Sequence, residues 1–180
     1  IMAVRMPGFG HALKENLALF PYTAVWDVVI RGTSTGRILG GTGSDPMVWF
    51  PQNRVDTDRI ASGLKLLGEM AFAAGAKAVM PGAYGLPDRI TDPKQLELLG
   101  PGMINPNQLV MASTHIFGTC RMGGDPRTSV VNSQGECHDV KNLFICDGSV
   151  LPNGTRVNPH EPIMAVSDYF AQGIAARLKG

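Results

Sequence analysis

Glycine and proline constrain this chain more than any other feature. Glycine occurs 22 times and proline 13 times in 180 residues. Both interrupt regular structure, so the chain predicts many turns between short elements. Residues 10–20 carry Leu13, Leu17 and Phe20 at helical spacing, closed by Pro21. Residues 22–30, YTAVWDVVI, are rich in β-branched and aromatic residues and predict a strand. Two short strands follow, at 36–39 and 47–50, which together suggest a three-stranded meander with one face covered. The covering helix is predicted over 58–74, with N-cap and first-turn acids in Asp56-Thr57-Asp58. Ile60, Leu64, Leu67, Met70, Ala71 and Ala74 recur at three- and four-residue spacing there, and Gly75 supplies the stop. Residues 76–80 read as a strand, and 93–98 as a short helix within a turn-rich stretch from 81 to 108.

The pattern changes near residue 109. LVMASTHIFGTCRMGGDP reads as a strand running into a glycine-bearing turn, and 143–146 as an apolar strand ending in Asp147-Gly148-Ser149. From 159 to 178 the spacing of Ile163, Val166, Phe170 and Ile174 predicts a helix. A boundary at 108 separates a sheet-plus-helix lobe, 1–108, from a site-bearing segment, 109–180.

Composition excludes several classes. At 44% hydrophobic and 17% charged residues, and a mean hydropathy of +0.03, the chain can form a packed interior. A net charge of +1 leaves no electrostatic footprint for nucleic acid. No run approaches the roughly 18 apolar residues of a membrane helix. Cys120, Cys137 and Cys146 form neither a disulfide framework nor a paired metal motif. The opening IMAVRMPGFG lacks the charged start and apolar core of a signal peptide and resembles the middle of a longer chain.

The histidines carry the chemistry. His11 lies in the first amphipathic stretch, with a surface role. His138 sits in a polar turn, where a Cys137/His138/Asp139 metal set has no second ligand pair at suitable spacing, so no metal is expected. His115 ends an apolar strand, and His160 opens a long apolar helix; each is either structural or aimed into a cleft. As a pair they could divide the work of alcohol oxidation. One neutral imidazole takes the hydroxyl proton as hydride leaves carbon, and the second hydrogen-bonds the same oxygen. No side chain accepts hydride, so that reading requires a flavin or nicotinamide. A dinucleotide fingerprint is absent: GFGHAL and GGTGSD lack the strand–turn–helix setting and read as turns. Ser149 and Cys120 sit in no nucleophile motif. Asp147-Gly148-Ser149 is either a strand-terminating turn or a ligand loop, in which Asp147 holds a hydroxyl-bearing ligand and Gly148 permits close approach.

Taken together, the last 70 residues resemble the C-terminal part of the glucose–methanol–choline (GMC) family of flavin oxidoreductases. Three ordered motifs carry the resemblance: THIFGTCRMGGDP at 114–126, VVNSQGECHDVKNLFICDGSVLP at 130–152 and VNPHEPIMAVSDYFAQGIA at 157–175. Residues 1–108 are similar to the family's substrate-binding lobe only weakly, most of all in GLKLLGEMAFAAGA. The resemblance implies an α+β or α/β fold, with a mostly antiparallel sheet backed by helices followed by the C-terminal part of an FAD-binding domain. It implies FAD as cofactor and a small-molecule alcohol as substrate, oxidised at CH–OH by hydride transfer to flavin with a histidine as general base. His115 matches the family's active-site histidine, and His160 matches the second active-site position. Asp147 and Gly148 match the segment along the FAD ribityl and pyrophosphate; Asn158, Pro159 and His160 match the segment near the flavin ring.

Two departures stand out. NGTRVNP is polar where many relatives carry a Pro/Ser-rich link, and His160 stands where Asn is commoner, so either imidazole is a candidate base. The family's GxGxxG start is absent. The expectation is therefore a C-terminal portion, catalytically weak alone, completed by a missing N-terminal FAD-binding half. The rival expectation is a degenerate, non-catalytic half that binds a ligand or partner. Trp26, Trp49, Phe50 and Tyr84 either line a substrate cleft or stack in the core.

Overall fold

The computed structural model describes residues 6–41, 45–109, 111 and 115–179. Within them lie helices and one small antiparallel sheet, an α+β arrangement. The chain divides into two compact units, Ile1–Ala112 and Ser113–Gly180.

In the first unit, α1 spans His11–Ala18 and is followed by a 3₁₀ turn, Phe20–Tyr22, in which Pro21 takes the second position. The sheet pairs β1, Arg37–Leu39, with β2, Met47–Trp49, in antiparallel register, Ile38 opposite Val48. The expected third strand at 22–30 does not form; Tyr22 ends the 3₁₀ turn and 23–30 carry no regular structure. A strand exists only through a partner strand, and among the described residues no ladder or bridge includes 22–30. Instead Val28 lies against α2: a Cβ on Gly63 would sit 2.5 Å from Val28 Cγ1.

Helix α2 spans Arg54–Ala73, four residues earlier at its start than the periodicity suggested. The cap is Asn53, not the Asp56-Thr57-Asp58 run, and its side chain accepts from the Asp56 amide at 2.8 Å. Asp56, Thr57 and Asp58 all lie inside the helix because Asn53 satisfies the orphan amide sooner. Helix α2 does not back the sheet, all six of whose residues are exposed. It packs on the 3₁₀ helix Pro93–Leu99, capped by Asp92. Gly68 permits the approach, since a Cβ there would meet Leu96 Cδ2 at 2.5 Å. The core of this unit is Ala61, Ile90, Leu96, Leu99 and Ile104, flanked by Leu64, Phe72, Leu86 and Leu109. The strand expected at 76–80 reduces to one bridge, Val79 with Ile90.

The second unit is built on α3, His160–Lys179. Phe170 on its inner face joins Val131 and Val150 in a fully buried cluster, with Met122, Ile145 and Val166 packed against it. Of the strand expected from residue 109, Val110 and residues 112–114 lie outside the described residues; 115–118 carry no regular structure. The apolar run 143–146 is not a ladder strand either. Its neighbours are a turn: Cys137 N donates to Leu143 O at 2.8 Å, and Ile145 N to Gly135 O at 2.9 Å, with a single bridge between Glu136 and Phe144. The far end of α3 is held by Arg177, which pairs with Glu136 at 2.7 Å and lies over the Phe144 ring at 5.5 Å.

Candidate functional site

The centre of the site is the 3₁₀ turn Gly148–Val150, capped by Asp147. Val150 plugs the turn into the buried cluster. Asp147 is extended, and its Oδ1 accepts from the Ser149 amide at 2.8 Å. Hydrogen bonding by Ser149, through its hydroxyl and its amide, holds the Asp147 carboxyl below the usual carboxylate range. The side chain is exposed and charged at neutral pH, so the turn presents a fixed acceptor.

Two segments converge on this turn. From one direction comes the run after His115. Cys120 N donates to Ser149 O at 3.2 Å and Met122 N to Val150 O at 2.8 Å. The Ile116 carbonyl, next in chain to His115, lies 3.9 Å from where a Cβ on Gly148 would stand. From the other direction comes the first turn of α3. Ile163, three residues after His160, places its Cδ1 3.1 Å from that same Cβ position. Gly148 therefore has a structural cause within the chain: a side chain there would press on Ile163. Any ligand contact at Gly148 is one of backbone.

His115 and His160 are both exposed. Their chain neighbours meet at Gly148, so the structure brings both histidine-bearing segments to the Asp147 turn. Asn158 is exposed. Pro159 is buried, and its carbonyl accepts from Ile163 N at 3.0 Å, closing the first turn of α3. Ser167 escaped the sequence reading. Its Oγ donates to the Cys146 carbonyl at 2.8 Å, directly before Asp147. The spacing His160, Ile163, Ser167 puts the three on one helical stripe, a signal present in the sequence.

The other histidines have ordinary work. His138 Nε2 stands 3.1 Å from both Ser129 Oγ and the Gly123 carbonyl. Ser129 gives its own proton to the Asp125 carbonyl at 2.6 Å, so Nε2–H donates to both acceptors and staples two loops. His11 faces solvent beside Glu15 at 3.5 Å. Trp26, Trp49, Phe50 and Tyr84 do not stack in the core: they are 49%, 56%, 59% and 67% exposed. The first unit's small core is formed by aliphatic residues from α2, Ile90 and the 93–104 stretch.

The donor set suits a flavin nucleotide. A charged exposed carboxylate on a rigid turn accepts from sugar or ribityl hydroxyls, and an exposed Asn158 amide and two exposed imidazoles lie on the flanking segments.

Comparison with known proteins gives the family. Residues 43–167 match the family model described as GMC oxidoreductase. An uncharacterized GMC-type oxidoreductase of Mycobacterium tuberculosis is 29% identical over 176 residues, covering 97% of this chain and 27% of that protein. One from Sinorhizobium fredii is 33% identical over 142 residues, 79% of this chain and 28% of its own length. A long-chain-alcohol oxidase of Arabidopsis thaliana is 27% identical over 183 residues, 94% of this chain and 23% of its own length. The chain thus spans about a quarter of the length of the curated relatives it matches.

Proposed function

Because this chain belongs to the GMC oxidoreductase family, we propose that it is the catalytic C-terminal part of an FAD-dependent alcohol oxidoreductase. The observation that carries this reading is the meeting of the His115 and His160 segments at the Asp147–Gly148 turn. The long-chain-alcohol oxidase among its relatives supports a CH–OH donor. Bound FAD would supply the two-electron acceptor for hydride leaving the alcohol carbon.

This chain's residues do the remaining work. Asp147 would accept hydrogen bonds from the hydroxyls of the cofactor's polyol chain, with the Gly148 backbone beside it. Asn158 and His160, with the Pro159 backbone, would hold the ring end. His115 takes the substrate hydroxyl proton on a ring nitrogen, so negative charge does not build on oxygen as hydride departs. His160 hydrogen-bonds the same oxygen and holds the CH–OH group in line. The first unit contributes to the substrate lobe. The remaining FAD contacts come from an N-terminal FAD-binding portion, in keeping with the quarter of the relatives' length matched here.

The test is the reductive half-reaction of the complete enzyme followed by flavin absorbance. His115→Ala is expected to slow flavin reduction by roughly 10²–10⁴-fold, the usual contribution of a general base, with FAD still bound. Reduction at the parental rate removes His115 from that role. A parental enzyme that carries no flavin removes the whole reading.

A further inference from the structure

We propose that Ser167 is a positioning residue for this site: its hydroxyl, donating to the Cys146 carbonyl, sets the Asp147–Gly148 turn at a fixed height on α3 relative to His160. The inference rests on the functional reading above, and asks which contact makes the site one rigid object.

The turn is gripped from two sides. Backbone amides of Cys120 and Met122 hold the carbonyls of Ser149 and Val150 on the side of the His115 segment. On the side of His160, Ile163 packs at Gly148 and Ser167 bonds Cys146, so α3 takes hold on both flanks of Asp147. One grip is an apolar contact, which lets surfaces slide. The other is a directional bond of 2.8 Å. The two lie four residues apart on one stripe of α3, with His160 a turn before Ile163.

A serine inside a helix ordinarily returns its proton to the carbonyl four residues back. Ser167 instead reaches a carbonyl 21 residues away in sequence. Serine is also a poorer helix former than alanine, so Ser167→Ala loses one hydrogen bond and regains helix propensity. Its effect on global stability is therefore small, while its effect on the turn is not offset by anything. That separates a positioning role from a merely structural one.

The experiment uses the full-length protein with Ser167→Ala and Ser167→Thr, the latter keeping the hydroxyl. Amide hydrogen exchange over residues 146–151, measured without added flavin, should rise about 2- to 10-fold in the alanine variant, the equivalent of one typical hydrogen bond, and return toward parental in the threonine variant. The FAD dissociation constant should weaken by a similar factor, again restored by threonine, with the thermal midpoint unchanged. Parental exchange in Ser167→Ala overturns the proposal outright. Faster exchange with parental FAD dissociation shows a local bond without a positioning role and overturns it too, as does equal impairment by alanine and threonine. A parental protein that binds no FAD overturns the functional reading itself, and this inference falls with it even where the exchange data show the bond.

Discussion

Asp56 shows how much a single side chain can organise. It is 2% exposed, and both its oxygens are spent on the loop before β1. Oδ1 and Oδ2 accept from the Thr33 amide, Oδ2 from the Ser34 amide and hydroxyl at 2.7 Å, and Oδ1 from the Thr33 hydroxyl. Arg59 stands 3.4 Å away. Burial pushes this carboxyl up, but the hydrogen bonds from Ser34 and Thr33 together outweigh it and hold the group below its ordinary value of 3.8. A carboxyl depressed in the folded state stabilises fully above its unfolded value and loses that contribution as pH falls through the folded one. Asp56→Asn turns amide protons toward donors and is expected to lower the unfolding free energy at neutral pH by about 1–3 kcal/mol. Urea unfolding from neutral to strongly acid pH should show the parental and variant stabilities converging below 3.8. Curves that stay parallel would mean that Asp56 is not the group responsible. The carboxylate's role was invisible in the residue order, where Asp56 reads as a helix-cap candidate; its partners lie more than twenty positions upstream.

At the scale of elements, the two long helices and the short pair β1 and β2 were legible, while the strands expected at 22–30, 76–80 and 143–146 were not. The apolar stripes of α2 and α3 depend on a 3.6-residue period that is written locally, so Ile163, Val166 and Phe170 were correctly placed on one face. Strand residues 22–30 and 143–146 had the right composition, yet β propensity expresses packing against neighbours rather than a backbone preference. What fixes α3 against its surroundings is a close approach. Gly135 has φ +77° and would put a Cβ 2.5 Å from Phe170 Cδ2. Phe170 is 1% exposed and has nowhere to retreat. Gly135→Ala adds left-handed backbone strain to overpacking and is expected to cost about 2–4 kcal/mol. Gly68→Ala, on an ordinary helical backbone with only Leu96 to displace, gains helix propensity of about 1 kcal/mol in return and should cost less. Urea unfolding of the two variants checks the order, and a reversed order would show that the Phe170 ring adapts.

At the scale of the molecule, the small sheet presents apolar residues outward on both faces. Ile38, Leu39, Met47, Val48, Trp49 and Phe50 are 43–65% exposed. The chain has 2 tryptophans, Trp26 and Trp49, and both stand about half open to solvent. Their emission should resemble that of tryptophan in water, be quenched readily by acrylamide and change little on unfolding in urea. A blue-shifted, quencher-resistant emission would show that another surface covers them. Such open apolar area is large for one small protein, and it sits in a chain matching about a quarter of its relatives' length.

Residue order alone was enough for the family, the two long helices and the short strand pair. Each of these is carried by local periodicity or by an uninterrupted motif, and neither needs a distant partner to be recognised. Only the folded chain showed that Asn53 starts α2, that α2 packs on the 93–99 turn instead of the sheet, and that His115 and His160 belong to segments meeting at Gly148. It also assigned Ser167 to Cys146 and removed four aromatics from the core. Apart from the local Asn53 cap, these are contacts between residues about 20 or more positions apart or between faces of different elements. They follow from which surfaces are left to bury once the local elements exist, and no local pattern encodes that remainder.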